Sequence, residues 1–186
     1  MKPKKIVITG GPSTGKTVLI EALKGAGFSC FPEVIREMTA AAKKNGALSS
    51  LTTNPINSVA DPNSFNKKII SARLAHYLEA SKYTEPIVFF DRGLPDVLAY
   101  MDYYEQEYQN DLFSVVKKNK YDTVFLLPMW QEIFTTDEER FEGYEDALKI
   151  HDCLQSTYES LNYQVIEVPK TSVLERVDFI RKKLHQ

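Results

Sequence analysis

Cysteine is scarce in this sequence. Cys30 and Cys153 lie far apart, and neither is accompanied by a second cysteine or a histidine at metal-ligand spacing. The pattern excludes a disulfide framework and argues against a zinc site. Long apolar runs are also missing, since the apolar segment near the amino terminus covers only about six residues, too few for a secretory signal or a membrane span. We therefore expect a protein without transmembrane segments in a reducing, cytoplasmic setting.

A large excess of charge of either sign is absent too. The 23 Lys and Arg residues nearly balance the 25 Asp and Glu residues, and the formal net charge is -2 at pH 7. A protein that binds nucleic acid by charge alone is more basic, so no nucleic-acid partner is expected. The 186 residues, 43% of them hydrophobic, suffice for one domain with a complete core. We expect a single domain over residues 1–186, as a monomer or homodimer.

The most informative segment that is present is KKIVITGGPSTGKT, residues 4–17. It holds the GxxxxGK(S/T) phosphate loop between a predicted strand and a predicted amphipathic helix, the context that this motif requires. Glycines let backbone N–H groups curl around a phosphate, and the helix start adds its positive dipole end. Lys16 is expected to bridge the β- and γ-phosphates of a nucleotide, and the Thr17 hydroxyl to ligate Mg²⁺. The expected nucleotide-binding residues here are Gly10, Gly11, Pro12, Ser13, Thr14, Gly15, Lys16, Thr17 and Val18; the alternative is a glycine-rich turn that binds nothing.

Apolar and β-branched runs between turn signals predict five strands, which alternate with helical patterns. The strands are predicted at residues 5–9, 28–31, 87–91, 123–127 and 164–168. Besides the helix after the phosphate loop, helices are predicted at residues 32–44, 65–82, 95–108, 147–161 and 173–184. Near-continuous hydrophobicity in the strands is typical of a parallel sheet that helices cover on both faces.

Residues 45–66 do not follow this alternation. They are rich in Asn, Ser and Pro and show little periodicity. An irregular segment this long is usually either functional or disordered, and the sequence favours neither.

Ligands of an open parallel sheet bind beyond the carboxyl ends of its strands. The third predicted strand ends in Asp91 and Arg92. Asp91 is a candidate for holding Mg²⁺ or for accepting the proton of an attacking hydroxyl, and Arg92 suits bidentate phosphate contact. The alternatives are a helix N-cap and a surface arginine. Asp96 follows in the first turn of the next predicted helix, where it either faces substrate or only complements the helix dipole.

The second predicted strand leads into Glu33 and Arg36, which are three residues apart and share a helix face. This pair offers a general base and an anion-binding guanidinium at the same cleft. The alternative is a solvated salt bridge.

Two further segments lie at the same edge of the sheet. Residues 129–143, after the fourth strand, contain Arg140 and could close as a lid that brings this cation to the transferring phosphate, although a plain charged helix explains them equally well. The loop after the fifth strand, with Pro169, is expected to border the nucleotide base through backbone contact.

Taken together, ITGGPSTGKT, FPEVIRE, FFDRGLPDVLAY, VFLLPMWQEIFTTDEERFE and YQVIEVPKTSVLERVDFI cover most of the chain. This series resembles a family of small P-loop ATPases and kinases that carry the AAA label, akin to the ribosylnicotinamide kinase domain of a bifunctional NAD-biosynthesis regulator. The resemblance to thymidylate and deoxynucleoside kinases is more distant. It implies a P-loop NTPase three-layer α/β fold with strand order 2-3-1-4-5, with Glu33 as base, Asp91 and Arg92 at substrate and metal, and Arg140 as the lid arginine.

The leading hypothesis is therefore a kinase that uses ATP and Mg²⁺ to phosphorylate a small hydroxylated metabolite, such as a nucleoside or nucleotide. The expected catalytic residues are Lys16, Glu33, Asp91, Arg92 and Arg140; the expected substrate-binding residues are Glu33, Arg36, Arg92 and Asp96; and the expected metal ligands are Thr17 and Asp91. The alternative from a different class is a regulatory module that binds ATP or GTP, hydrolyses it slowly and binds a lipid or a partner.

Overall fold

Five parallel strands form the centre of the fold in the computed structural model, which describes residues 2–38, 62–135 and 143–185. The strands are β1 (Lys4–Gly10), β2 (Ser29–Phe31), β3 (Ile87–Asp91), β4 (Thr123–Leu127) and β5 (Val165–Glu167). Their order in the sheet is β2-β3-β1-β4-β5, as the sequence resemblance predicted. All four strand pairings are parallel.

Helices cover both faces of this sheet. In chain order they are α1 (Lys16–Gly25), α2 (residues 34–38, where the described segment ends), α3 (Pro62–Glu79), α4 (Pro95–Tyr103), α5 (Asn110–Lys118), α6 (Tyr144–Ser160) and α7 (Val173–Leu184). Short 3-10 turns follow α3 at Ala80–Lys82 and follow β4 at Gln131–Ile133.

The alternating side chains of β1 explain how the two faces are filled. Val7 joins a core with residues of α3, α4, α5 and α6, whereas Ile6 and Ile8 join a core with α1 and α7 on the opposite face. All three side chains are fully buried. Because successive side chains of a strand point to opposite faces, a strand buried on both sides is apolar at almost every position.

The predicted strands are confirmed, but several predicted helix bounds are wrong. The helix expected over 95–108 ends at Tyr103, and Glu105 then adopts a positive φ of 52°. The sequence analysis missed α5 entirely, although Leu112 and Val116 are buried on one of its faces.

The expected irregular insert is corrected at its end. Helix α3 begins at Pro62, so residues 62–66 are helical, and Asn66 already lies on the buried face, where its amide donates to Gln106 at 2.8 Å. The remainder of that insert, 45–61, lies outside the described residues, as do residues 39–44 of the second predicted helix. Among the described helices, none is long and apolar enough to cross a membrane.

Candidate functional site

The phosphate loop joins β1 to α1 at the carboxyl edge of the sheet. Gly15 is the N-cap of α1 and has a φ of 81°, a left-handed conformation that favours glycine. At Gly11, an added Cβ would lie 2.9 Å from Met129 Sδ and 3.0 Å from the Ala147 carbonyl oxygen. These two positions therefore require glycine for different reasons, one for its backbone conformation and one for the close approach of its neighbours.

Lys16 is the first residue of α1, and its side chain joins the phosphate loop to β3, the strand that lies beside β1 in the sheet. Its Nζ lies 2.6 Å from Asp91 Oδ1, and both residues are buried, with 9% and 7% of their side chains exposed. Strand pairing explains the contact, because Asp91 is the register partner of Ile8 in β1. Burial lowers the pKa of Lys16, and the neighbouring Asp91 only partly offsets this effect. A buried ammonium held by one carboxylate is poised to exchange that partner for another anion.

Asp96 is the centre of a buried network behind the loop. It is fully buried, and its Oδ1 accepts from Thr9 Oγ1 at 2.6 Å and from Arg92 Nη1 at 3.0 Å. Its Oδ2 accepts from the Gly93 N–H at 2.8 Å and from the Tyr158 hydroxyl at 2.6 Å. Burial alone would raise the pKa of Asp96, but the nearby arginines and the two hydroxyl donors hold it below its usual value.

These four bonds bear on the substrate role expected for Asp96. Each carboxylate oxygen already accepts two hydrogen bonds, which uses the acceptor capacity of the group. The contacts favour a role in fixing Arg92 and the backbone that follows β3. The substrate contact expected for Asp96 stays a prediction.

Arg92, at the tip of β3, combines an unusual backbone angle with two side-chain contacts. It has a φ of 71°, its guanidinium lies 5.2 Å from the Tyr100 ring centroid, and it pairs with Asp96. A left-handed backbone costs an arginine about 1–2 kcal/mol. Strain of this kind persists only where surrounding contacts fix it, which is typical of functional sites.

Glu33 lies across the tips of β2 and β3 and is 8% exposed. Its Oε2 accepts from the Arg36 backbone N–H at 2.9 Å, which satisfies a free donor in the first turn of α2. Its Oε1 accepts from Arg73 Nη2 at 3.3 Å. The Glu33 carboxylate thus pairs with Arg73 of α3, whereas the Arg36 side chain, expected to share the site, is exposed.

Sequence reasoning missed Arg73 as a site residue. It is 4% exposed and donates from Nη1 to the Gly93 carbonyl oxygen at 2.8 Å, while its Nε has no partner. A signal was present, because the buried residues of α3 are Asn66, Ile69, Ile70 and Arg73, at helical core spacing. An arginine that completes an apolar stripe indicates a buried polar partner.

A narrow cleft opens beside Asp91 and Arg92. Phe31 stacks against Phe90 with ring centroids 5.1 Å apart, and against His76 at 4.8 Å. The cleft is lined by Phe31, Pro32, Val34, Arg73, His76, Phe90, Asp91, Arg92 and Tyr121. The aromatic rings of this lining are buried in the core, and Arg73, Asp91 and Arg92 add charged groups at the end nearest Lys16.

The loop is also buttressed on its other side by residues after β4 and in α7. Ser13 Oγ donates to the Thr135 carbonyl oxygen, and Arg176 Nη1 donates to the Thr14 carbonyl oxygen at 3.1 Å. Arg176, which the sequence reading did not single out, is 2% exposed and its guanidinium lies 5.0 Å from the Trp130 ring centroid. The sequence indicates this role only weakly, because the two residues before Arg176 in α7 are exposed and do not mark the start of a buried stripe.

The other expected site residues have varied environments. Thr17 is half-buried at the start of α1, Val18 is 57% exposed, and Pro169 is exposed after β5. Arg140 and residues 136–142 of the expected lid lie outside the described residues. The described residues contain no cluster of three or more histidine, cysteine or acidic side chains suited to a metal ion. The Thr17 hydroxyl and the Asp91 carboxylate are hard oxygen donors that suit Mg²⁺.

Comparison with protein families identifies a match over residues 5–176 with a family described as an AAA domain. This match covers nearly the whole chain. The protein belongs to this AAA domain family. The predicted resemblance to AAA-labelled P-loop proteins is confirmed at this level. No curated protein matches the chain.

Comparison with solved structures shows which proteins share the fold of this AAA domain protein. It is similar to deoxyadenosine kinase from M. mycoides with bound dATP, with a TM-score of 0.65 and 20% identity over 98% of this chain and 100% of the other. It is also similar to NadR in complex with NAD and AMP-PNP, with a TM-score of 0.69 and 15% identity over 97% of this chain and 49% of the other. Thymidylate kinase from Candida albicans has a TM-score of 0.64 and 14% identity over 98% and 91% of the two chains. The predicted P-loop kinase fold is thereby confirmed.

Proposed function

We propose that this protein is a kinase that transfers the γ-phosphate of ATP to a hydroxyl group of a small, nucleoside-like metabolite. The observation that carries the proposal is the 2.6 Å contact between Lys16 Nζ and Asp91 Oδ1. It links a phosphate-binding loop on β1 directly to a carboxylate that lines an aromatic cleft on β3. The two halves of a two-substrate site therefore meet at one ion pair.

The donor side is proposed to work by positioning and charge. The N–H groups of the loop, together with the start of α1, would bind the phosphates, and Lys16 would leave Asp91 to contact them. Lys16 is suited to this exchange because burial already disfavours its charge when Asp91 is the only partner. Asp91 and Thr17 would then hold Mg²⁺, which supplies neutralisation of phosphate charge when it is bound.

The acceptor side is proposed to align the hydroxyl group and remove its proton. The hydroxyl oxygen forms a bond to the γ-phosphorus as the bond from that phosphorus to the β–γ bridging oxygen breaks, so ADP leaves. The hydroxyl proton passes to Glu33, whose 3.3 Å bond to Arg73 is long enough to yield to a better donor. Arg92, fixed by Asp96 and Tyr100, would contact the transferring phosphate.

A nucleoside-like acceptor is favoured by the chemistry of the cleft. Phe31, Phe90 and Tyr121 make this cleft aromatic, although their rings already pack on one another in the core, and Arg73 offers a buried Nε donor without a partner. Nucleosides combine a flat ring with sugar hydroxyl groups. Two proteins of similar fold, a deoxyadenosine kinase and a thymidylate kinase, support this substrate class.

An acceptor screen tests the proposal. ADP formation from ATP and Mg²⁺ is measured with nucleosides, ribosylnicotinamide, nucleoside monophosphates and simple polyols. We expect one class to raise the rate well above the rate without acceptor. Lys16→Ala should abolish the increase, whereas Lys24→Ala, an exposed lysine of the same helix, should preserve it. ADP release that is the same with every acceptor would contradict the kinase assignment and favour the regulatory nucleotide-hydrolysing alternative.

A further inference from the structure

Tyr158 places a hydroxyl group in a part of the core that an apolar ring would fill equally well. It lies in α6, its side chain is fully buried, and its ring packs edge-on against Tyr163 with centroids 5.3 Å apart. A buried hydroxyl costs free energy unless it is hydrogen-bonded, and phenylalanine would occupy the same space without that cost. The hydroxyl of Tyr158 therefore calls for an explanation beyond packing.

That hydroxyl is bonded at the turn that follows β3. It donates to Asp96 Oδ2 at 2.6 Å, and the same oxygen accepts from the Gly93 N–H at 2.8 Å. A Cβ placed on Gly93 would lie 2.7 Å from the Tyr158 hydroxyl oxygen, so the hydroxyl touches the residue directly after Arg92. Burial raises the pKa of Tyr158 well above its usual value, so the hydroxyl keeps its proton and acts as a donor.

The other oxygen of the Asp96 carboxylate joins two elements of the site. Oδ1 accepts from Arg92 Nη1 at 3.0 Å and from Thr9 Oγ1 at 2.6 Å. Thr9 directly precedes Gly10, the first residue of the phosphate loop. One carboxylate thus receives donors from β1, from the tip of β3 and from α6. Because its two oxygens move as a unit, the loss of a donor at Oδ2 also loosens the position of Oδ1.

Arg92 depends on this support because other carboxylates compete for it. The carboxylates of Glu33 and Asp91 also attract its guanidinium. Its backbone is in the left-handed region, a strained conformation that persists only where surrounding contacts fix it. If the bond to Asp96 is loosened, Arg92 can turn toward those two carboxylates and leave its position in the site.

We propose that Tyr158 is a positioning residue for phosphoryl transfer, whose hydroxyl acts through Asp96 to fix the guanidinium of Arg92. The inference rests on the proposed kinase reaction, in which Arg92 contacts the transferring phosphate. Interactions that strengthen only in the transition state raise kcat, whereas interactions made equally with the bound substrate lower KM. A displaced Arg92 should therefore lower kcat and leave KM nearly unchanged.

The test compares the loss of two neighbouring tyrosine hydroxyl groups. Tyr158→Phe removes the donor to Asp96, and the matched control, Tyr163→Phe, removes a hydroxyl that accepts from the Tyr121 N–H at 3.2 Å. The values of kcat and of KM for ATP and for the acceptor are measured for both variants, and denaturant unfolding checks that each is folded at the assay temperature. We expect Tyr158→Phe to lower kcat about 10- to 100-fold with both KM values within about twofold, since a small displacement of a catalytic group costs this much. Tyr163→Phe should keep kcat within about twofold of the wild-type value.

A double-mutant cycle identifies the residue through which Tyr158 acts. Arg92→Gln keeps a donor for Asp96 but removes the cation, and single-turnover transfer of labelled phosphate measures the rate that remains. Tyr158→Phe should slow this variant by less than about twofold, because residues that act together are not additive. Where Tyr158→Phe is too unstable to assay, Thr9→Val removes the other hydroxyl donor of Asp96, and an unchanged kcat in that variant would refute the positioning of Arg92.

The outcomes separate this inference from the proposed function. An unchanged kcat in Tyr158→Phe, or the same loss in Tyr163→Phe, would overturn the positioning role. A raised KM at unchanged kcat would also overturn it, because the effect would then lie in binding. So would equal losses from Tyr158→Phe in the wild-type and Arg92→Gln proteins. Absence of transfer by the wild-type protein would instead contradict the proposed kinase reaction, and this inference with it.

Discussion

The phosphate loop and the proposed acceptor cleft, which is the cleft beside Asp91 and Arg92, take their polar groups from different parts of the chain. The loop presents backbone N–H groups of consecutive residues, and its glycines are required by local geometry at Gly11 and Gly15. The cleft is formed by side chains from β2, α3 and β3, and it is held by contacts such as Arg73 to Glu33 and Tyr158 to Asp96. A binding function that is local in sequence can be recognised from a motif, whereas one assembled from distant elements cannot.

The largest expected effect concerns the ion pair that joins the two regions. Lys16→Met should lower kcat/KM for phosphoryl transfer by about 10²–10³-fold, the usual loss when one charge-stabilising donor is removed. Steady-state kinetics with saturating acceptor would measure it. Lys24→Met, at an exposed position of α1, should change kcat/KM by less than about twofold. Comparable losses in both variants would mean that Lys16 has no special role.

The next largest effect is expected for Asp96→Asn, which tests whether the buried hydrogen bonds of Asp96 stabilise the acceptor side. Asp96→Asn keeps the shape of the side chain but removes the charge opposite Arg92 and replaces an acceptor oxygen with a donor. Removing one partner of a buried pair costs about 3–5 kcal/mol, and we expect the free energy of unfolding to fall by that order. Denaturant unfolding would measure the loss, with Asp178→Asn, an exposed position of α7, as the control. A loss below about 1 kcal/mol would contradict the network.

Two glycine variants test the local construction of the loop. Gly15→Ala places a Cβ at a φ of 81° and 3.2 Å from Arg176 Nη1, so it should destabilise the protein by about 1–2 kcal/mol and weaken ATP binding. Gly25→Ala meets nothing within 4 Å at the end of α1 and should be neutral or stabilise by up to about 1 kcal/mol. Thermal unfolding and ATP titration would measure both. Equal tolerance of the two changes would contradict the conformation assigned to Gly15.

The smallest expected effect is a pH dependence next to the loop. His151 packs near Gly11, is 8% exposed, and burial lowers its pKa below the usual 6.5. As the pH is lowered, the unfolded chain therefore protonates this histidine at a higher pH than the folded protein does. The free energy of unfolding should fall as the pH drops below about 6.5. His151→Gln should make that fall shallower, whereas His185→Gln, at an exposed position, should not. Thermal unfolding between pH 5 and about 8 would measure the slopes.

Much of the fold could be predicted because its signals are local. The five apolar runs predicted the strands, and the phosphate loop identified the edge of the sheet at which to look. The α5 helix was missed although four of its nine residues are apolar, and only two of these, Leu112 and Val116, are buried. The first residues of α3, 62–64, were missed because they are proline and polar residues, whereas residues 65 and 66 already belonged to the predicted helix.

The site was predicted less completely for a physical reason. Glu33 and Asp91 could be named because each follows a strand, but their partners depend on how distant helices pack. Arg73 comes from α3, where its place at the end of a buried stripe indicates a polar partner without saying which one, and Arg176 comes from α7, where the signal in the sequence was weak. Glu33 and Arg36 were expected to act together, yet the carboxylate pairs with Arg73 because α3 packs across the tips of β2 and β3.

Transfer of labelled phosphate tests the central claim most directly. The protein is incubated with ATP labelled at the γ-phosphate and with the acceptor that gives the strongest response, and the fate of the label is followed in the wild-type protein and in Glu33→Gln. We expect label to enter the acceptor in a 1:1 ratio with ADP, and Glu33→Gln to slow this transfer by about 10²-fold or more while ADP still binds. Release of the label as free phosphate, at the same rate with and without acceptor, would contradict a two-substrate kinase site.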